Sequence, residues 1–572
     1  MTLLLWLLLI SVLVVTAVIV IGRDARQRAS ERLKAEWGQP RPRHQKMDAI
    51  AASHQSRVAE YGDSTALDDR TWNDLVLDDV FVTIDRTEST LGQHALYHRL
   101  RTAQTEGTLQ AFEALVTRMT NEPATRERAQ LALARLRDPQ GYDLWWLARP
   151  RAIETPGWYV VFPALTVIIL GSLALMAGHP GLQLLVGVAL AVNLAAYFVT
   201  MKQVNAAAAA FRQIAPLVAT GQALRFLQGD DIDPIVGPLR RETPGLRRLK
   251  TVSRWVSGDP LMLSVHASPL AGMVADLFNV IYDYVNLVLP VNASGMYLGA
   301  SDLRAGGARL LRVVAAVGDV DAAVSVAALR AELSNWTRPV FLPPGSPAVI
   351  ADAVHPLVTD AVPNSITLAA GAGVLVTGSN MSGKSTFLRT VGVSAVLAQT
   401  IHTCFATTYE APMFRVRSCI GRSDDLLSGK SYYLVEVESL LGLVASSADA
   451  APHLFLLDEL FRGTNAVERI AAGQAVLIEL ITGTDGPKPH VALAATHDSE
   501  LVDLLEGSYA PCHFGDAMTA EGLTFDHRLQ FGRSTSRNAI ALLRLNGAPP
   551  ALVERAFASA EALDRQREAA RK

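Results

Sequence analysis

Residues 373–386 read Gly-Val-Leu-Val-Thr-Gly-Ser-Asn-Met-Ser-Gly-Lys-Ser-Thr. An apolar strand, Val374 to Val376, runs into a glycine-framed loop that matches G-x-x-x-x-G-K-[ST] at Gly378, Gly383, Lys384 and Ser385. Thr386 to Ala398 then read as a helix. This order commits the segment to a strand–loop–helix unit of an α/β sheet with a P-loop. In such a loop the backbone of Gly378, Ser379, Asn380, Met381, Ser382, Gly383, Lys384, Ser385 and Thr386 wraps phosphate oxygens, and the helix N-terminus favours their charge. Lys384 is placed to reach the β- and γ-phosphates, and the Ser385 hydroxyl to sit on Mg²⁺.

Hydrolysis needs carboxylates from a second strand. Leu454 to Leu457 is a continuous apolar run, as expected of a strand buried on both faces of a parallel sheet, and it ends in Asp458-Glu459. Asp458 is placed to hold the Mg²⁺ shell and Glu459 to polarise the attacking water. The alternative is a plain capping pair at a strand end. Val491 to Ala495 is another buried strand that stops at Thr496-His497-Asp498. His497 either senses the γ-phosphate or is a satisfied structural histidine. Gln399, at the end of the helix after the P-loop, contacts the metal or the water, or is an ordinary surface residue.

These segments together resemble the MutS mismatch-repair ATPases. Thr377 to Thr386 is similar to that family's phosphate loop, and Asp425 to Glu436 to its signature loop. Leu457 to Asn465 resembles its second acidic motif and Ala495 to Asp498 its histidine switch. The likeness continues through Arg533–Ile540 and Leu545–Arg555, and upstream through His355-Pro356 and Val362–Ile366. The resemblance implies an ATP and Mg²⁺ site with an ABC-like ATPase fold. It further implies a homodimer in which Ser431 is donated in trans to the partner's γ-phosphate. His527 and the backbone near Val362 and Asn364 match the positions that hold the adenine, while Ala361 stands where an aromatic is expected.

The 50% hydrophobic content and the positive mean hydropathy exceed what a soluble enzyme needs. Thr2 to Ile21 is an uncharged run long enough to cross about 30 Å of hydrocarbon. It has no basic start and no small-residue cleavage site, so a signal peptide is disfavoured. Arg23, Arg26, Arg28, Arg32 and Lys34 follow it, which places the N-terminus outside and the ATPase in the cytoplasm, as in a bacterial inner membrane. Trp158–Met176 and Leu182–Met201 form an expected transmembrane hairpin around Gly178-His-Pro-Gly181, anchored by Trp145, Trp146, Trp158 and Tyr159. The expected architecture is a transmembrane helix at 1–22, a cytoplasmic part of a helical core at 23–157, and the hairpin at 158–201. A helical lever follows at 202–345, then the ATPase domain with a closing helical segment at 346–572. The stretches Val80–Gly92 and Gly318–Arg330 resemble the first and last parts of the MutS core. About fifty soluble residues precede the first of these, too few for the family's mismatch-reading and connector domains.

Net charge is −3, which gives no global signal for nucleic acid. Cys404, Cys419 and Cys512 show neither metal spacing nor a disulfide framework. Arg225, Arg240, Arg241, Arg247, Arg248, Lys250 and Arg254 form a basic stretch that suits DNA phosphates, anionic lipid or solvent. With no base-reading element, any DNA contact is backbone-directed. The leading expectation is a membrane-anchored, dimeric ATPase coupled to DNA. The alternatives are an ATPase acting on a membrane or protein partner, and an ABC transporter ATPase. The third would need the usual helical subdomain, and roughly forty residues between the P-loop and signature loop leave no room for it.

Overall fold

The computed structural model describes residues 26–40, 45–61, 67–136, 144–147, 157–175, 181–256, 291–379, 381–420, 432–483, 486–519, 522–533 and 547–571, with short stretches between them that include parts of 280–289. The chain divides into two compact units: residues 1–64 with 84–333, and residues 65–83 with 334–572. Helix α1 (Asp69–Asp74) therefore belongs with the C-terminal unit. This differs from the expected ATPase boundary at residue 346, and the reason is a dense set of polar contacts given below.

The first unit is helical. Its main helices are α2 (Thr90–Arg101), α3 (Glu106–Asn121), α4 (Val161–Leu175), α5 (Leu182–Arg212), α6 (Arg247–Val256) and α7 (Val291–Glu332). The 42 residues of α7 form its spine, about 63 Å long at 1.5 Å per residue. Small residues let α2 lie close against it: a Cβ on Gly318 would sit 2.7 Å from that of Ala95. Buried Asp321 on α7 accepts from the backbone N–H groups of Glu88 and Ser89 at 2.7 Å each, so its charge caps the entry to α2. Arg330 and Glu113 form a second buried, doubly bonded pair between α7 and α3.

The expected membrane segments fare unevenly. Nearly all of residues 2–21 lies outside the described residues. The described part of α4 is 15 residues, starting after the turn at Gly157 to Val160 and ending where residues 176–177 fall outside the described residues; over that length it is short of the roughly 20 needed to span hydrocarbon. In α5, Leu182–Val199 is long and apolar enough to cross, and only 11% of that window is buried. Among the described residues, then, one helix of spanning length stands where three spans were expected. Part of the basic stretch is paired within the unit. Asp233 pairs with both Arg240 and Arg241, Asp302 with Arg248, and Lys250 donates to Gln222.

The second unit is α/β. A four-stranded sheet has the order β1 (Val340–Phe341), β5 (Thr408–Ala411), β2 (Ala348–Ala353), β3 (Asn364–Leu368). The central sheet has six strands. From its edge these are β10 (Gly522–Phe531), β9 (Tyr509–Thr519), β4 (Ala372–Thr377), β8 (Val491–Ala495), β7 (His453–Asp458) and β6 (Arg415–Cys419). All its neighbours pair in parallel except β9 and β10. Helices α8 (Lys384–Ile401), α9 (Tyr432–Ser446) and α10 (Ala466–Ile481) belong to this unit. Leu454 to Leu457 and Val491 to Ala495 are all buried, as two-sided parallel strands require.

Helix α1 is held against this sheet by its own polar side chains. Asp68 caps it through the Thr71 N–H. Asp74 accepts from the Ser418 hydroxyl at 2.8 Å and from the Ile420 N–H at 2.9 Å. Arg70 donates to Ser439 on α9 and to Cys419, and the Arg389 guanidinium of α8 donates to the Asp74 carbonyl. The close approach of Leu75 to Gly392, where a Cβ would lie 2.7 Å from a leucine methyl, seats the same segment on α8.

Candidate functional site

Strand register builds the site. Ala495 pairs with both Val376 and Asp458, so three neighbouring parallel strands end level. The ladder runs one step further, since the Thr496 N–H donates to the Val376 carbonyl and the Glu459 N–H to that of Ala495. The P-loop, the Asp458-Glu459 pair and His497 therefore meet at the carboxyl edge of the sheet, where open α/β folds bind ligands.

The loop after β4 turns on Gly378 (φ 145°) and Gly383 (φ 114°). A Cβ on Gly378 would lie 2.8 Å from the Ser382 hydroxyl, so the turn has room only for glycine. Met381 is also left-handed, at φ 70°, and its side chain points to solvent. Asn380 lies outside the described residues. Lys384 and Ser385 open α8, with Thr386 beside them in the cleft. Lys384 donates to the carbonyls of Gly378 (2.8 Å) and Ser379 (3.0 Å), which folds its ammonium back over the loop. Burial and the nearby Arg462 lower its pKa to about 8, against the opposing pull of Asp458.

The Ser385 hydroxyl donates to Asp458 Oδ2, while Asp458 Oδ1 is buried with no hydrogen-bond partner. A hydroxyl beside a carboxylate with an open, buried oxygen is an oxygen donor set that suits Mg²⁺. Glu459 is held from two sides. Arg462 pairs with its carboxylate, and His497 Nε2 lies 2.9 Å from Oε1. The same Nε2 is 3.3 Å from Lys384 Nζ. A neutral ring nitrogen cannot accept from the lysine and donate to the glutamate at once. The lysine already has two carbonyl acceptors, so the Nε2–H tautomer bonded to Glu459 is the consistent choice. Burial, then Lys384 and Arg462, push the His497 pKa down, which keeps the ring neutral.

A cleft of about 510 Å³ continues from the P-loop toward Val362, Asn364 and His527. Asn364 works as a clamp. Its amide donates to the carbonyls of Val362 (3.1 Å) and His527 (3.0 Å), and its Oδ1 accepts from the Leu529 N–H (2.7 Å). The side chain thus fixes the cleft wall and leaves ligand contact to the backbone. His527, at φ 52°, sits 3.1 Å from the Ser382 carbonyl through Nδ1. Ala361 lines the cleft with no ring for a base to stack on.

One expected contact is displaced. Gln399 lies fifteen residues beyond Lys384, about 22 Å along the helix. It is buried there and accepts from the Phe414 N–H, so it is a structural residue. Ser431 lies outside the described residues.

Two supporting groups went unread in the sequence. Glu459 (φ 54°) and Phe461 (φ 57°) both occupy the left-handed region, unusual for residues with side chains. Glu436 on α9 stabilises that turn by accepting from the Phe461 N–H at 2.6 Å, and burial raises its pKa. Arg469 on α10 grips Asp498 through two bonds of 2.9 and 2.6 Å, which anchors the residue next to His497. Neither pair is adjacent in sequence, and neither partner carries a motif that names the other.

Comparison with known proteins points the same way. Residues 374–564 match the family model for MutS domain V. The DNA mismatch repair protein MutS 2 of Halobacterium salinarum is 35% identical over 259 residues, 43% of this chain and 29% of that protein. The DNA mismatch repair protein MutS of Thermus thermophilus is 35% identical over 256 residues, 44% of this chain and 30% of that protein. The Streptococcus pyogenes serotype M1 MutS is 31% identical over 259 residues, 43% of this chain and 29% of that protein. The chain thus spans under a third of the length of these relatives. MutS domain V and the MutS relatives match the C-terminal part of this chain, which is there similar to the fifth domain of MutS.

Proposed function

We propose that this chain is a membrane-anchored ATPase of the MutS type, which binds and hydrolyses ATP at sites shared between two copies and couples this to DNA. The observation that carries the reading is the meeting of Lys384, Ser385, Asp458, Glu459 and His497 at level strand ends. In this reading Lys384 leaves its loop carbonyls for the phosphates, and the loop N–H groups bind the β-phosphate. Ser385 and Asp458 hold Mg²⁺, which when bound neutralises developing phosphate charge. Glu459 is the base for the attacking water. His497 keeps its carboxylate oriented, and Arg462 holds it until a γ-phosphate arrives. Ser431 of one copy completes the site of the other, so nucleotide state becomes dimer geometry.

Support for DNA comes from the relatives, all DNA mismatch repair proteins by name. Local charge adds less than the sequence suggests, because Arg240, Arg241 and Arg248 are paired with Asp233 and Asp302. Support for the membrane comes from α4 and α5. Leu184 is 77% exposed and Phe198 64%, among thirteen large apolar residues that face outward in the described parts of α4 and α5. Water-facing surfaces rarely carry apolar patches that large. The test is to purify the full chain from membranes and measure ATP hydrolysis alone, with duplex DNA at two salt concentrations, and with branched or mismatched DNA. Salt-sensitive stimulation by DNA supports the coupling. Hydrolysis indifferent to every DNA favours a protein or membrane partner, and no hydrolysis at all would remove the enzyme reading.

A further inference from the structure

The α4–α5 hairpin is not alone at its own depth. Asn193 lies eleven residues into α5, about 16 Å along it and near the middle of the Leu182–Val199 window. Its side chain is fully buried, and Nδ2 donates to the Val288 carbonyl at 2.9 Å. Leu289 packs against Leu165, Ile169 and Ala189 of the same hairpin. The Leu289 N–H donates to the Val285 carbonyl at 2.7 Å, which makes a helical turn just before α7. Pro290 follows in the sequence and has no N–H to extend that turn. The Asn193 amide satisfies the Val288 carbonyl beside this break.

The turn is inside out by the standards of a water-exposed segment. Val280, Ile281, Tyr284, Val285 and Val288 face outward, with Tyr284 70% exposed, while Asn286 is half-buried. A turn in water shows the reverse order. In hydrocarbon an open carbonyl is costly, and an amide from a neighbouring helix is how a broken helix is tolerated there.

We propose that the described residues 280–282, 284–286 and 288–289 are embedded in the same bilayer as the hairpin, at the depth of Asn193, and meet lipid hydrocarbon through Ile281, Tyr284, Val285 and Val288. This rests on the membrane reading of α4 and α5. It enlarges the anchor from a hairpin to a bundle that includes the start of α7, where Tyr297 stacks on Phe162 of α4 at 5.6 Å.

Nitroxide labels on introduced cysteines test it in the full chain reconstituted into phosphatidylcholine–phosphatidylglycerol nanodiscs. The three native cysteines are buried and leave the background quiet. Val192→Cys reports the hairpin, Ile281→Cys and Tyr284→Cys report the new segment, and Gln110→Cys on α3 reports water. The expected result is that labels at 192, 281 and 284 relax with oxygen and resist a water-soluble nickel chelate at least fivefold more than the label at 110. A lipid-exposed label at 192 with chelate-accessible labels at 281 and 284 overturns the proposal and leaves the hairpin standing. Chelate access at all four sites removes the membrane reading and the proposal with it. Labels at 281 and 284 shielded from both reagents mean that protein covers the segment, which also overturns it.

Discussion

Strand β7 and helix α5 are built from much the same residues and treat them in opposite ways. Leu454, Phe455, Leu456 and Leu457 are at most 1% exposed, while Leu184, Val188 and Val192 of α5 are all exposed. The strand hides its apolar run between layers of its own unit and carries two carboxylates at its end. The helix turns its run outward and hides its asparagine. Hydrophobicity alone does not say where a segment goes; its length and the placement of its polar atoms do. A short buried strand that ends in acids reads as a sheet core, while an eighteen-residue, mostly apolar helical window that hides its asparagine is long enough to cross hydrocarbon.

If β7 is buried in order to deliver its acids, the largest effect lies at its tip. Glu459→Gln is expected to lower kcat by roughly 10²- to 10⁴-fold while ATP still binds, the range for loss of a general base. It should also trap the ATP-bound dimer. Steady-state turnover within a few-fold of the parent would show that Glu459 is not the base.

The comparison itself breaks or holds on a matched pair of truncations. Leu456→Ala removes a fully buried side chain and is expected to cost about 2–5 kcal/mol in denaturant unfolding. Leu184→Ala, on the exposed face of α5, is expected to change stability by roughly 0.5 kcal/mol or less in detergent. Equal losses would mean that α5 packs against something in the native assembly and that its apolar face is not a lipid surface.

Sequence reading reached the site wherever chemistry is written in contiguous residues. Gly378 to Ser385, Asp458-Glu459 and His497 each sit at a strand end, and parallel register alone brings them together. It failed where a role depends on three-dimensional reach. Gln399 was misplaced because a straight helix carries it away from the loop. Asp74 binds Ile420 across 346 positions, so nothing local marks residues 65–83 as part of the second unit. The segment proposed to join the anchor carries no span signal in the sequence, because Asp283 and Pro290 interrupt its apolar run.

A smaller effect is expected at the pair behind His497. Arg469→Ala or Asp498→Ala should lower kcat about tenfold with little change in KM, because a displaced positioning group weakens only the transition state. The charge swap Arg469→Asp with Asp498→Arg should recover part of the loss. If the single variants lose ATP affinity instead, the pair supports the nucleotide cleft as a whole, and the orienting role fails.

The mildest effect follows from Lys384. Burial holds its free-state pKa at about 8, with Arg462 adding to the depression. Bound phosphates favour the ammonium, so binding takes up a proton wherever the free lysine is neutral. The sign is then fixed: affinity is full below pH 8 and falls as pH rises through that value. Between pH 7.5 and 9.5 the Kd for a nonhydrolysable ATP analogue is expected to rise on the order of tenfold. Lys384→Arg, charged throughout this range, should bind more weakly but with a flat profile. A flat profile for the parent chain would mean that the ammonium is not depressed by its surroundings. The burial that shields Leu456 would then not extend to the lysine that opens α8, and the contrast with α5 would stop at the core.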